Sequence, residues 1–108
     1  MSEPQAHTVI LVGNPNVGKS ALFGALTGKY ATVSNYPGTT VAITRGRMRS
    51  GRQSLPVLDT PGTSSLASTS EDEAVTRDIL RAEKDAVVVQ VLDAKNLRRG
   101  LLLTAELA

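Results

Sequence analysis

The chain has 108 residues, a formal net charge of +2 at pH 7 and no cysteine. This is the length of one domain with its own hydrophobic core. The missing cysteines exclude a disulfide framework and a thiolate metal site, which fits a reducing cytoplasm. The segment Met1–His7 has no basic and no apolar stretch, and the longest apolar runs, 86–89 and 101–103, are too short to cross a bilayer. The sequence therefore predicts a soluble domain without a secretory signal.

The first predicted elements are a strand, a glycine-rich loop and a helix. The run His7–Val12 is mostly apolar and β-branched, and Ala21–Leu26 carries apolar residues at helical spacing before Gly28, a candidate C-terminal cap. Between them, residues 13–20 read Gly-Asn-Pro-Asn-Val-Gly-Lys-Ser and match the phosphate-binding P-loop pattern at every defined position. The flanking strand and helix favour a P-loop over a turn that matches by chance.

The chemistry of this loop predicts the phosphates of a nucleotide as its ligand. Glycines let successive backbone N–H groups point inward, and the N-terminal dipole of the next helix faces the same ligand. Lys19 supplies a positive charge to the outer phosphates, and the Ser20 hydroxyl is placed to ligate the Mg²⁺ that bridges them. The predicted nucleotide contacts in this segment are Gly13, Asn14, Pro15, Asn16, Val17, Gly18, Lys19, Ser20 and Ala21.

A loop and a hairpin are predicted next. The segment Ala31–Thr40 is rich in small and polar residues and has a turn signal at 35–38, so we expect a loop there. Val41–Arg49 and Gln53–Leu58 are expected to be two strands joined by a short turn.

Alternation along the first of these strands places three arginines on one side, namely Arg45, Arg47 and Arg49. Such a stripe is either an RNA-facing surface or a solvated sheet edge. No aromatic residues are interleaved for base stacking, so the sequence favours the solvated edge and does not predict a nucleic-acid partner.

The second half of the chain is expected to add a helix, a strand and a last helix. Ser70 and Glu73 indicate a capping box that begins a helix running to about Lys84. The run Ala86–Leu92 is nearly uniformly apolar, as a parallel strand covered on both faces should be, and a helix follows from Leu97. The order β-α-β-β-α-β-α predicts an α/β fold of three layers with a mostly parallel sheet.

Two further elements indicate a site that senses the γ-phosphate. Asp59 ends a predicted strand and can hold Mg²⁺ through water, and the N–H of Gly62 is free to bind a γ-phosphate. An aspartate-led turn would explain the same residues without a nucleotide, but their position forty residues after Lys19 favours the site. In the preceding loop, Thr40 can place its hydroxyl on Mg²⁺ and its N–H on the γ-phosphate, with Thr39 as the alternative and an ordinary polar turn as the competing interpretation.

With these three elements, the chain resembles a translation-factor-type GTPase, and more narrowly the N-terminal G domain of the ferrous-iron transporter B (FeoB) family. The resemblance runs from Thr8 onward. Residues 35–41 resemble the family's first switch, 59–66 its second switch, 70–80 the helix after it, and 91–97 the fourth strand and its exit. Many families share the P-loop, so the stretches after Asp59 are the specific ones.

The resemblance implies a role for each matched residue. Lys19 would bind the β- and γ-phosphates, Ser20 and Thr40 would ligate Mg²⁺, Asp59 would hold Mg²⁺ through water, and Gly62 would sense the γ-phosphate. The catalytic set that follows is Lys19, Asn16, Thr40 and Gly62. Asn16 would ligate a K⁺ ion that bridges the phosphates, or, alternatively, would only stabilise the loop turn.

The sequence lacks the family's motif that reads the guanine base, and it has a threonine where some GTPases have the glutamine that orients the hydrolytic water. The family's G domain continues to a motif that reads guanine, and Asp93-Ala94-Lys95-Asn96 is not that motif. Residues 1–108 therefore resemble a truncated G domain, with switch I at about 31–41 and switch II at about 59–70. Thr63 stands where some GTPases carry a water-orienting glutamine, so hydrolysis is expected to be slow. The strand at 86–92 would be an exposed edge or would pair with another copy of the chain.

The function implied by the resemblance is GTP binding and slow, K⁺-stimulated GTP hydrolysis with Mg²⁺. In the intact protein this would serve ferrous-iron uptake, at the cytoplasmic face of the bacterial inner membrane, with a membrane-embedded transporter region as partner. Two alternatives stay open at this point. One is a GTPase of ribosome assembly or tRNA modification, and the other is a nucleotide-binding module without turnover.

Overall fold

The computed structural model describes residues 7–14, 18–28, 31–62, 70–83 and 85–107. Within these residues, five strands form one sheet in the order β2-β3-β4-β1-β5. In chain order the elements are β1 Val9–Gly13, α1 Lys19–Thr27, β2 Ala31–Asn35, β3 Ala42–Ser50, β4 Gln53–Asp59, α2 Glu71–Ala82, β5 Val87–Val91, a 3₁₀ turn Ala94–Asn96 and α3 Leu97–Leu107.

The sheet is mixed, where the sequence predicted a mostly parallel one. Strand β1 is parallel to both β4 and β5, whereas β3 is antiparallel to both β2 and β4. The antiparallel part is larger than expected because Ala31–Asn35, predicted as loop, is a strand paired with the first half of β3. All five of its side chains are exposed, so the strand is held by main-chain pairing and not by burial of an apolar face.

The predicted α/β fold of three layers is confirmed, because apolar side chains leave the two faces of the sheet toward different helices. On one face, Val9 and Leu11 of β1 pack with Phe23 of α1. On the other face, the core cluster consists of Ile10, Val12, Val41, Ile43, Leu58, Val75 and Ile79, the last two from α2, and Leu107 of α3 packs against it.

Strand β5 lies at the edge of the sheet and is only partly covered. Its apolar sequence predicted burial on both faces, but Val87 and Val88 are 49% and 43% exposed. Within the described residues β5 is an edge strand, and its pairing with another copy of the chain stays a prediction. The cause is topological: β1 takes the central position between β4 and β5, so within the described residues β5 has a strand neighbour on one side only.

Helix α2 begins as the sequence predicted. The Ser70 hydroxyl accepts a hydrogen bond from the Glu73 backbone N–H at 3.4 Å and donates one to Glu73 Oε2 at 2.5 Å. The first turn carries three acidic residues, which suit the positive end of the helix dipole. Val75 and Ile79 are buried on the inward face.

Helix α1 lies close to β3 because residue 46 is a glycine. A Cβ atom at Gly46 would lie 2.9 Å from Cγ2 of Thr27 and 3.1 Å from Cζ of Phe23. The Thr27 hydroxyl is fixed by a 2.8 Å hydrogen bond to the Phe23 carbonyl, so the side chain cannot rotate away without losing that bond. No pattern of residue types along the chain indicates this close approach.

No helix among the described residues is long and apolar enough to cross a membrane.

The same chemical change at two glycines is expected to have opposite effects on stability. We expect Gly46→Ala to lower the free energy of unfolding by about 1–3 kcal/mol, because the added methyl overlaps Thr27 and Phe23. Gly24→Ala places its methyl in open space inside α1 and should raise the same quantity by about 0.5–1 kcal/mol. Urea denaturation measures both.

A double variant distinguishes steric overlap with Thr27 from a general intolerance of strand β3 to substitution. Thr27→Ser removes Cγ2 and keeps the hydroxyl, so combined with Gly46→Ala it should recover part of the lost stability. A strictly additive double variant would contradict the packing explanation.

Candidate nucleotide-binding site

The parallel pairing of β1 with β4 creates one edge at which both strands end. Leu11 of β1 lies opposite Asp59 of β4, so the loop that leaves Gly13 begins next to the Asp59 carboxylate. Ligands of α/β proteins bind at this carboxyl edge, in the crevice between neighbouring strands. The fold thus places the predicted P-loop and the predicted acidic residue together.

Lys19 is the first residue of α1, and its ammonium group reaches across to the end of β4. Its Nζ atom donates a hydrogen bond to Asp59 Oδ1 at 2.5 Å and another to the Thr60 carbonyl at 2.5 Å. The two charged side chains are 10% and 11% exposed. Because burial disfavours an isolated charge, each of them depends on the other for electrostatic compensation.

Thr60 is held in position by β1, which the sequence did not predict. Its side chain is buried, and its hydroxyl and its backbone N–H both donate to the Leu11 carbonyl, at 2.7 Å and 3.2 Å. This anchor turns the Thr60 carbonyl toward Lys19. A backbone carbonyl leaves no residue-type signal, so sequence reasoning had no means of finding this acceptor.

The N-terminus of α1 has the features of a helix end that can bind an anion. Gly18 precedes the helix with φ at 92°, a left-handed conformation that favours glycine. The helix has no side-chain cap and no acidic residue in its first turn. Its partial positive charge is therefore not neutralised by an acidic side chain of that turn, which leaves it available to a phosphate.

Adjacent threonines in the loop before β3 have different partners. The Thr39 hydroxyl donates to the Tyr36 carbonyl at 2.9 Å and accepts from the Val41 N–H at 3.1 Å, so it stabilises the turn itself. Thr40 instead donates its N–H and its hydroxyl to Glu71 Oε1, at 3.1 Å and 2.6 Å. The turn around these residues also contains Gly38, with φ at 79°.

Glu71, at the start of α2, is a second residue that sequence reasoning missed. The Thr40 hydroxyl, and then the Thr40 N–H, lower the pKa of Glu71 below its ordinary value, because both hydrogen bonds favour the ionised carboxylate. The sequence indicated only that the segment begins a helix. Nothing in the spacing of 31 residues between the two indicates their contact.

The other described site residues lie at the end of β1, in the first turn of α1 and after β4. Asn14 is buried where the loop leaves β1, and a Cβ atom at Gly100 would lie 3.7 Å from its Oδ1, so α3 passes beside it. Ser20 and Ala21 are exposed in the first turn of α1, and Gly62 is half-buried after β4. Pro15, Asn16, Val17 and Thr63 lie outside the described residues, so the predicted K⁺ ligand stays a prediction.

The donor set suits Mg²⁺ that is held mainly by phosphates and water. The described residues contain no group of three or more histidine, cysteine, aspartate or glutamate side chains that would hold a metal alone. Ser20 and Thr40 offer hydroxyls and Asp59 offers one carboxylate, which is the sparse oxygen set that Mg²⁺ takes beside a polyphosphate.

The family model described as ferrous iron transport protein B matches residues 7–108. The chain belongs to this family. The Fe(2+) transporter FeoB of Methanocaldococcus jannaschii is 42% identical over 103 residues, which are 95% of this chain and 15% of that protein. The Fe(2+) transporter FeoB of Campylobacter jejuni is 43% identical over 99 residues, which are 92% of this chain and 16% of that protein. The chain thus spans about one sixth of the length of these relatives.

Solved structures of FeoB G domains have the same fold. The G domain of the T. maritima FeoB iron transporter superposes with a TM-score of 0.90 at 39% identity, over 95% of this chain and 65% of that one. A GDP-bound point mutant of the S. thermophilus FeoB G-domain gives a TM-score of 0.85 at 39% identity, over 94% and 38%. The resemblance inferred from the sequence is confirmed at the level of family and fold.

The contact between Thr40 and Glu71 can be tested by titration. We expect Thr40→Val to raise the pKa of Glu71 toward its ordinary value, because the hydroxyl donor is lost, whereas Thr40→Ser should keep it low. A carboxyl with a lowered pKa in the folded state stabilises the fold above its unfolded pKa, and this contribution disappears as the pH falls through the folded pKa. Carboxyl ¹³C NMR of the nucleotide-free chain measures the shift. An identical Glu71 titration in wild type and Thr40→Val would show that the contact is absent in solution.

Proposed function

We propose that this chain binds guanine nucleotide with Mg²⁺ and hydrolyses GTP slowly, as the G domain region of a ferrous-iron transporter. The observation that carries the proposal is the arrangement of Lys19, Asp59 and Thr60 at the carboxyl edge of β1 and β4, beside the uncapped N-terminus of α1. Membership in the FeoB family supports a transporter over the ribosome-assembly alternative.

The Lys19 ammonium is the group that would change partners when a nucleotide binds. It has two acceptors, one an aspartate oxygen and the other a carbonyl, and phosphate oxygens are charged acceptors like the aspartate oxygen. Release from Asp59 would leave that carboxylate available to help hold Mg²⁺. Bound Mg²⁺ would neutralise the negative charge that develops on the phosphates during hydrolysis.

Three further residues complete the proposed phosphate site. Thr40 is the better Mg²⁺ and γ-phosphate residue of the two threonines, because the Thr39 hydroxyl is committed to Tyr36 and Val41. Ser20 offers its exposed hydroxyl from the first turn of α1, and Gly62 offers a backbone N–H after β4. Asn16 is proposed as a K⁺ ligand, and that ion would supply the positive charge that an arginine supplies in other GTPases.

The relatives support guanine nucleotide as the proposed ligand and a transporter region as the proposed partner. The S. thermophilus G-domain structure is GDP-bound, and that chain is 39% identical to this one. The relatives are named as Fe(2+) transporters, so we propose a membrane-embedded region of the intact protein as the partner, with this domain at the cytoplasmic face of the membrane. The free edge that β5 presents within the described sheet is where a second copy would pair.

Calorimetric titration of the chain with GDP, and separately with ADP, tests the binding proposal. We expect GDP to bind in Mg²⁺ buffer, and Lys19→Ala to weaken its binding by about 100-fold or more through the loss of the charge-assisted hydrogen bonding to the β-phosphate. Because Lys19→Ala leaves the 11%-exposed Asp59 carboxylate without this ion pair, the variant Lys19→Ala/Asp59→Asn serves as a folded control that also lacks the phosphate-binding charge.

The two nucleotides separate base reading from phosphate binding. Tight GDP binding with weak ADP binding would support guanine reading by this chain. Equal binding of both would leave a phosphate site without base selection, and no binding of either would contradict the proposal.

Phosphate release from GTP tests turnover and the role of K⁺. We expect hydrolysis at least about tenfold faster in K⁺ than in Na⁺ at equal ionic strength, and Asn16→Ala should remove this difference. Release equal to that of Lys19→Ala in both salts would instead support a nucleotide-binding module without turnover.

A further inference from the structure

One carboxylate oxygen of Glu71 accepts both hydrogen bonds that Thr40 offers. The Thr40 backbone N–H donates to Oε1 at 3.1 Å, and the Thr40 hydroxyl donates to the same atom at 2.6 Å. An anionic oxygen that takes a main-chain N–H and a neighbouring hydroxyl together has the acceptor chemistry of a phosphate oxygen. Both residues are exposed, so the contact can be exchanged without opening the core.

We propose that Glu71 is a specificity-determining residue that favours a nucleoside diphosphate over a triphosphate at this site. The inference rests on the proposed function, in which the Thr40 N–H binds the γ-phosphate. A diphosphate has no γ-phosphate, so it binds while the Thr40–Glu71 contact remains intact. A triphosphate must either displace the carboxylate or bind without Thr40. In the first case its binding free energy is reduced by the free energy of the Thr40–Glu71 contact, and in the second case it loses the Thr40 interaction.

Within the described part of the loop, the groups beside Thr40 are bonded to one another. The neighbouring Thr39 hydroxyl donates to the Tyr36 carbonyl. The Tyr36 N–H is bonded to the Val41 carbonyl at 2.8 Å, which closes the same turn. The turn therefore keeps its shape without Glu71, and the loss of Glu71 would release the donors of Thr40 and not unfold the loop.

Glu71 also has a purely structural interpretation, which the experiment must separate. Glu71, Asp72 and Glu73 all lie in the first turn of α2, where any negative charge interacts favourably with the helix dipole. Asp72 shares the charge and the turn, while both Thr40 bonds go to Glu71. Asp72→Ala is therefore the matched control for Glu71→Ala.

The test compares affinities for GDP and for a non-hydrolysable GTP analogue in Mg²⁺ buffer. We expect Glu71→Ala to bind the analogue about five- to tenfold more tightly than wild type, with GDP affinity unchanged within about twofold. Asp72→Ala should leave the ratio of the two affinities as in wild type. In a Thr40→Val background, Glu71→Ala should increase analogue affinity much less, because the hydroxyl that the carboxylate binds is already absent.

Hydrogen exchange of the Thr40 amide in the nucleotide-free chain gives a second readout. Exchange should be faster in Glu71→Ala than in wild type, and unchanged in Asp72→Ala. An unchanged affinity ratio with GDP binding intact would overturn the inference and leave the proposed function standing. A wild-type chain that binds neither nucleotide would overturn the proposed function and this inference with it.

Discussion

The ion pair between Lys19 and Asp59 is the interaction on which the geometry of the site depends. Two charges that are each about nine-tenths buried must lie close together, and here Nζ and Oδ1 are 2.5 Å apart. That distance requires α1 to begin directly beyond the end of β4, and the parallel pairing of β1 with β4 meets this requirement. Thr60 contributes from the same end, since its two hydrogen bonds to the Leu11 carbonyl hold its own carbonyl where it accepts a second hydrogen bond from the ammonium group.

The two helices that follow β1 and β4 differ in how their positive ends are compensated. Helix α2 has a serine cap and three acidic residues in its first turn, so its dipole is neutralised by its own sequence. Helix α1 has neither, and a glycine in a left-handed conformation precedes it. A helix end without an acidic cap is suited to binding an anion, so this contrast within one chain supports the proposal that α1 faces the phosphates.

The sequence predicted what depends on residue type and spacing, and missed what depends on backbone groups and tertiary contacts. The P-loop strand and helix, the Ser70 cap and the strand that ends at Asp59 all have local signatures, and the structure confirms them. Strand β2 was missed because it is held by main-chain pairing and buries no side chain. The Thr60 carbonyl and the Glu71 carboxylate were missed because their roles arise only when distant segments meet.

The two threonines show how such contacts decide which residue can take part in a switch. Thr39 bonds to residues two and three positions away, so exchanging its partners would dismantle the turn that it stabilises. Thr40 bonds to a carboxylate 31 residues away, on a separate element and in solvent. An exposed anion can be replaced by another anion at small cost, since the turn beneath it keeps its own hydrogen bonds. Sequence spacing does not distinguish these two neighbours. The hydrogen bonds of Thr39 hold the turn together, whereas those of Thr40 reach a separate helix and can be exchanged without breaking the turn.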